Sequence, residues 1–354
     1  MAQIIQLASV TSLDGPDAVL HRGVLDVNKA SLIAAYGDDD TALVPADIVQ
    51  TLAPSPEAAQ AIAVAVEHDT VLGYVTVWAP LVDNRALAEI YIAVHPEHRR
   101  QGLGSQLYEW TSQYAHGLGR TIWHGWADGT PPGPDEATVR APTGDAFPAA
   151  SPGYQFAIAQ GFALEQVARF SVLHLPVDVA ALKADALARA DGYVLHTWTG
   201  LPPDEWLDDY AAIRAQVTID APAAGLAVEK QVWDAERLRR RWAENAKNGN
   251  HQMIVAAEHA ASGRLVAFTA VIWHESRPDR IWQGYTFVMA GHHGHRLGLL
   301  VKTTLLDALV AAGVPARRIY TDNAGENAPM LAINTALGFR LHSLTGAVQK
   351  KTDA

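Results

Sequence analysis

The chain has 354 residues, of which 49% are hydrophobic and 18% charged, and its net charge is −11. That length exceeds one ordinary core and predicts two domains, the composition excludes a disordered chain, and the acidic balance argues against nucleic acid as a partner. Cysteine is absent, which excludes a disulfide framework, a thiolate metal site and a cysteine acyl-enzyme.

The opening run Met1-Ala2-Gln3-Ile4-Ile5-Gln6 has no basic segment followed by a long apolar one, and no apolar run approaches about 18 residues. The expectation is therefore a cytoplasmic protein with no secretory signal and no membrane contact. A weak strand spans Ile4 to Val10, and a helical pattern runs from Val24 to Tyr36. The acidic turn Gly37-Asp38-Asp39-Asp40 either holds water or holds a cation. Strands at Ala61–Val66 and Leu72–Trp78 flank a short connector and read as a hairpin.

Glu89 to Val94 is a strand by alternation, with Glu89 on the face opposite Ile90 and Ile92; Pro96 ends its pairing. Leu103, Leu107, Trp110 and Tyr114 then recur at helical spacing. Between strand and helix lies Arg99-Arg100-Gln101-Gly102-Leu103-Gly104-Ser105. Its glycines let backbone amides approach a ligand, and a helix amino terminus favours an anion. A pyrophosphate fits this turn best. Another strand follows at Thr121–Trp126, in which His124 either faces a substrate or packs in the core. The Pro-, Gly- and Asp-rich stretch Asp128–Pro152 either folds over a substrate or is a solvated insertion. A short helix at Tyr154–Gln160 and a strand at Leu164–Leu175 complete the first half.

The stretch Ala88-Glu89-Ile90 through Val94-His95-Pro96 to Arg99, Gly102 and Gly104 resembles the acetyl-CoA-binding core of the GNAT superfamily of N-acetyltransferases. The likeness covers most of residues 1 to 175, down to the closing pair Gly161-Phe162. The second half repeats the same order. A strand at Ile281–Met289 leads to Gly291-His292-His293-Gly294-His295-Arg296-Leu297-Gly298, then to a helix over Val301–Ala312. Asn323 and Asn327 to Phe339 are similar to the family's later motif. Here His295 stands where Gln or Arg is expected and Leu300 where Gly or Ala is expected, which puts coenzyme binding in this half in question. The cluster His292, His293 and His295 invites a metal, but in a glycine turn it serves a phosphate or solvent more readily, and no metal is expected.

The fold class expected is α/β with a mixed sheet of the α+β kind. Two consecutive GNAT-like domains are implied, over 1–176 and 193–354 with a connector at 177–192, each a mixed, mostly antiparallel sheet flanked by helices. The resemblance implies an N-acetyltransferase using acetyl-CoA and a small-molecule amine, with a homodimer allowed. With no cysteine, direct attack in a ternary complex is the natural route. The resemblance places Glu89 as general base. The usual tyrosine acid is replaced by Ala157 and Asn334, leaving Tyr154 as the nearby candidate. The coenzyme-binding set is Ile92, Ala93, Val94, Arg99, Arg100, Gln101, Gly102, Leu103, Gly104 and Ser105, with Val288, His295, Arg296, Gly298 and Asn323 in the second half. A non-catalytic acyl-CoA-binding scaffold and a tandem enzyme of the mycothiol-synthase or aminoacyl-transferring type remain open alternatives.

Overall fold

A computed structural model describes residues 2–353. In chain order the first elements are β1 (Gln3–Gln6), α1 (Val19–Tyr36), α2 (Pro45–Leu52), β2 (Ala58–Glu67), β3 (Thr70–Pro80), β4 (Leu87–Val94), α3 (Leu103–Gly117) and β5 (Ile122–Gly129). A small hairpin of β6 (Thr138–Arg140) and β7 (Ala146–Pro148) follows, then α4 (Pro152–Ala159) and β8 (Ala163–His174). The remainder comprises α5 (Ala180–Leu187), β9 (Tyr193–Thr199), α6 (Asp204–Asp220), α7 (Ala235–Lys247), β10 (Asn250–His259), β11 (Arg264–His274) and β12 (Arg280–Val288). The chain ends with α8 (Leu297–Ala311), β13 (Arg318–Ala324), α9 (Ala328–Leu337) and β14 (Arg340–Lys351). None of the helices among the described residues is long and apolar enough to cross a membrane.

Two compact units form, and both are discontinuous in sequence. The first takes the chain up to Ala168, the short stretch Ala223–Val228 and everything from His342 onward; the second takes Arg169–Pro222 and Glu229–Leu341. Within the first, the strands lie in the order β1-β2-β3-β4-β5-β14. The last strand of the sequence thus closes the sheet of the first unit, pairing antiparallel with β5 from Leu344↔Gly129 to Lys351↔Ile122. Within the second, the order is β8-β13-β12-β11-β10-β9.

Local chemistry accounts for the element boundaries. The hairpin β2–β3 closes on His68 and Asp69, both with positive φ, beneath the Glu67↔Thr70 pair; two left-handed residues match the right-handed twist of the strands they join. Helix α1 begins five residues before the periodic apolar positions suggest and stops at Gly37, φ 84°, whose N–H bonds the Ile33 carbonyl. Helix α2 has no counterpart in the sequence reading. It is started by Pro45 at its first turn and by Asp47, whose carboxylate accepts the Val44 N–H at 2.7 Å. The stretch after Asp128 is only partly irregular, because the β6–β7 hairpin sinks Phe147 completely among Ala127, Ala141, Val167 and Leu344.

Strand β4 is the hinge of the first unit. Its Ala88 and Ile90 pack with Leu103 and Leu107 of α3, while Tyr91 and Ala93 pack with Val24 and Val27 of α1. Alternation along one strand therefore sets one helix on each face.

Candidate active site

Strands β4 and β5 run parallel and pair from Leu87↔Ile122 to Ile90↔Gly125. Beyond that point both continue, to Val94 and to Gly129, but apart. His95 N–H bonds the Leu72 carbonyl at 2.8 Å, so alternation turns the peptide groups of Ile92 and Val94 toward the open side. The Val94 carbonyl there accepts from Arg99 Nε at 3.1 Å. A cavity of about 640 Å³ fills the opening.

Four parts of the chain build its walls, the first being Ser31, Ala34 and Ala35 of α1. Tyr91–Val94, paired with β3 but no longer with β5, supplies an open strand edge. The turn before α3 supplies Arg99, Arg100 and Gly102 to Ser105. The far side carries Asp128, Gly129, Ser151 and Phe156. Of the first-half residues expected to hold a coenzyme, all but Gln101 line this cavity. Arg100 and Gly102 are left-handed, with φ 62° and 83°. Gly102 is the residue that caps α3, and no side chain satisfies the first-turn amides. Those donors are left for a ligand. A Cβ on Gly102 would meet nothing, whereas one on Gly104 would meet the Phe156 ring at 3.2 Å. The turn thus presents bare backbone and a cationic rim, which is what a diphosphate requires.

Asp128, at the mouth of the splay, escaped the sequence reading. Its carboxylate accepts from the Tyr36 hydroxyl at 2.5 Å and from the Tyr91 hydroxyl at 3.3 Å. Burial pushes its pKa above the usual carboxylate range, while the two hydrogen bonds and the charge of Arg99 act the other way. Tyr36 lies 92 residues away in sequence, so no local pattern announces the pair. The only available signal was alternation, which puts Asp128 on the same strand face as His124 and Trp126.

Glu89 sits lower, in the paired part of β4 opposite Trp78 and His124. It is half-buried, and burial pushes its carboxyl up to about 7. It is not among the residues that line the cavity. His124 is buried and donates from Nε2 to Gln349 Oε1 at 3.1 Å; burial lowers its pKa. That same oxygen accepts the Ala227 N–H at 2.7 Å, so this imidazole braces the interior. Tyr154 packs its ring against Phe147, centroids 6.0 Å apart, and stands outside the lining.

In the second unit the turn sits two residues earlier than the sequence comparison set it. Helix α8 starts at Leu297 behind a left-handed Arg296, φ 54°, and Gly294 is left-handed at 88°. These repeat Gly102 and Arg100 in the turn before α3. His293 Nε2 reaches the Val288 carbonyl at 3.0 Å, as Arg99 reaches that of Val94. His293 therefore stands in the place of Arg99, Arg296 in that of Gly102, and Gly298 in that of Gly104. The expectation that Leu300 occupies a phosphate position is corrected: it lies inside α8, 1% exposed. The left-handed glycine of the turn before α3 is replaced here by Arg296, whose guanidinium pairs with Asp185. His295 contacts the Arg189 carbonyl at 3.4 Å, Val288 ends β12, and Asn323 accepts from Asn334 at 2.6 Å. The pairing of β12 with β13 likewise stops early, at Trp282↔Tyr320. Among the described residues no group of three His, Asp or Glu is placed to hold a metal ion; His292 instead bonds the Tyr193 hydroxyl at 2.9 Å.

A parallel strand pair that splays beside a helix amino terminus, built twice in one chain, defines an acetyltransferase-type fold in tandem. The model of the acetyltransferase (GNAT) family matches residues 30–128, the segment that contains this turn and Asp128. A tandem GNAT protein from the clavulanic acid biosynthesis pathway is similar over 100% of this chain and 99% of its own, with TM-score 0.75 and 23% identity. A GCN5-related N-acetyltransferase from Sphaerobacter thermophilus is similar over 98% of this chain and 95% of its own, with TM-score 0.62 and 16% identity. No curated protein matches the sequence. Residues 30–128 thus match the acetyltransferase (GNAT) family, and the chain as a whole has the fold of a tandem GNAT protein.

Proposed function

We propose that this protein is an acetyl-CoA-dependent N-acetyltransferase acting on a small-molecule amine, with its chemistry in the first unit. The observation that carries this reading is one cavity bounded by an uncapped α3 amino terminus, an open β4 edge and a half-buried carboxylate. The amides of Gly102 to Ser105, with Arg99 and Arg100, hold the diphosphate, and the outward peptide group of Ile92 and the N–H of Val94 hold the extended arm. Bound acetyl-CoA supplies an activated thioester that acylates the amine nitrogen and releases the thiol.

An alkyl amine with pKa near ~10 is neutral in only about one molecule in a thousand at pH 7. A carboxylate in the cavity raises that supply by accepting the proton, and one whose pKa is raised by burial accepts it more readily. We assign this role to Asp128 ahead of Glu89, because Asp128 borders the cavity. Glu89 does not line the cavity, and Tyr154, also outside the lining, is the weaker candidate for protonating the thiolate.

Isothermal calorimetry with acetyl-CoA, followed by thiol release across an amine panel, tests the proposal. Micromolar binding with turnover on one amine class is expected. Absence of binding heat sinks it. Tight binding with no turnover on any amine supports instead a non-catalytic acyl-CoA-binding protein, a reading favoured by Ala157 where a phenol would serve as acid.

A further inference from the structure

The acidic turn after α1 and the last strand of the chain meet behind the cavity. Asp38 Oδ2 lies 3.0 Å from His342 Nε2, and His342 Nδ1 lies 3.3 Å from the Ser343 hydroxyl. Ser343, 1% exposed, directs its hydroxyl toward the Tyr36 oxygen. Tyr36 donates to Asp128 at 2.5 Å. The rings of Tyr36 and His342 also meet edge to face, centroids 5.7 Å apart. Asp128, Tyr36, Ser343, His342 and Asp38 thus follow one another in a single line of polar side chains. Its inner end borders the cavity, and its outer end, Asp38, has 39% of its side chain exposed.

We propose that this line is a proton exit, carrying the proton taken from the amine out of the active site. The inference rests on the acetyl-transfer reading of the same cavity. The amine proton passes to Asp128. Asp128 hands it to the Tyr36 oxygen as Tyr36 gives its own proton to Ser343 and Ser343 gives its own to His342 Nδ1. One proton moves from nitrogen to imidazole, each hydroxyl turns once, and no electrons are transferred. The imidazolium formed is balanced by the Asp38 carboxylate, which keeps its hold on the ring through Nε2 and through its other oxygen accepts the Asp40 N–H at 3.1 Å. An imidazole is the side chain suited to collect and release such a proton near neutrality. Tyr91, which holds the second Asp128 oxygen, cannot serve as an exit because it packs inward beside Tyr74. Tyr36, Ser343, His342 and Asp38 are thus positioning and relay residues, and none of them need touch the substrate.

Two measurements on the full chain test this. In the first, NMR follows the His342 imidazole titration in the unmodified protein, in Asp128→Asn, in Ser343→Ala and in the double variant. Asp128→Asn is expected to move the titration when Ser343 is present and to leave it fixed when Ser343 is alanine. Titration that ignores Asp128 in both backgrounds overturns the proposal. This readout needs no turnover, so it stands even where the acetyl-transfer reading fails. In the second, Ser343→Ala and His342→Gln are expected to lower kcat by about tenfold, below the roughly hundredfold of a directly acting base, with acetyl-CoA affinity by calorimetry unchanged. Free imidazole should restore His342→Ala in proportion to its concentration, and Ser343→Thr should restore the hydroxyl step. Full kcat in Ser343→Ala and His342→Gln, in protein that binds acetyl-CoA normally, overturns the exit while leaving the acetyltransferase reading intact.

Discussion

Tyr36, the last residue of α1, donates a 2.5 Å hydrogen bond to Asp128, the next-to-last residue of β5, across the mouth of the splay. This bond ties the helix over one sheet face to the strand that opens away from β4. It also opposes the burial that raises the Asp128 pKa, because a hydroxyl donor favours the charged carboxylate. Removing either partner therefore has a readable consequence.

Asp128→Asn keeps the shape and removes the proton acceptor. A fall in kcat of about a hundredfold or more is expected, with acetyl-CoA affinity intact. Steady-state kinetics with calorimetry would show it, and an unchanged kcat would move the base to Glu89 or to water.

Tyr36→Phe removes a donor that favours the charged carboxylate, so the Asp128 pKa should climb further. A base must be deprotonated to work, so activity falls as pH drops through its pKa. The acid limb of the kcat/KM profile is therefore expected to shift to higher pH in this variant. A limb that stays in place would show that Asp128 does not govern it.

Glu89 offers a stability prediction independent of catalysis. Its ordinary value is 4.5, and in the fold it is about 7. The protonated form is the one the fold favours, so the stability linked to this group is complete below pH 4.5 and is lost as pH rises from there through 7. The loss is at most about 3 kcal/mol. Glu89→Gln escapes it. Its melting temperature should exceed that of the unmodified protein by several degrees at pH 8 and by little at pH 4.5.

Lys302 in the second unit follows the opposite sign. It is 2% exposed, donates to Gln283 Oε1 at 3.0 Å and faces the Phe339 ring, and burial pulls it from 10.5 down to about 7. The fold favours the neutral amine, so the associated stability is complete above pH 10.5 and is lost as pH falls toward 7. Lys302→Met is expected to melt higher than the unmodified protein at pH 7, with the gap narrowing above pH 10. A gap independent of pH would mean that packing, not charge, sets it.

Gly104→Val tests the coenzyme turn. Its Cβ would press on Phe156, whose ring already stands 3.2 Å from that position. Loss of acetyl-CoA affinity by about tenfold or more, with the circular dichroism spectrum preserved, is the expected outcome. Normal affinity would mean that nothing is held against this turn.

Some of this architecture is written in adjacent residues. The alternation of Glu89 to Val94, the proline stop, the glycine turn and the amphipathic α3 are local, because strand period, backbone freedom and helix caps act over a few positions. They were enough to place Ile92 to Val94 and most of Arg99 to Ser105 around one opening. They were not enough in the second half, where spacing alone matched Gly298 to Gly102. Only the left-handed φ of Arg296 and the His293 contact to Val288 reveal that the turn lies two residues earlier.

The sequence by itself determined a chain of two similar α/β halves, each with a strand, a turn and a helix in the same order. Tertiary structure alone decided that the strand from Arg340 to Lys351 pairs antiparallel with β5 of the first half. It alone brought Tyr36, Asp128, Ser343 and His342 into one line. A strand carries no mark of which sheet edge it will join, since backbone donors and acceptors are alike along every edge. Likewise a hydrogen bond between residues 92 or 304 positions apart leaves no period to read, and becomes visible only when the packed core has fixed both ends.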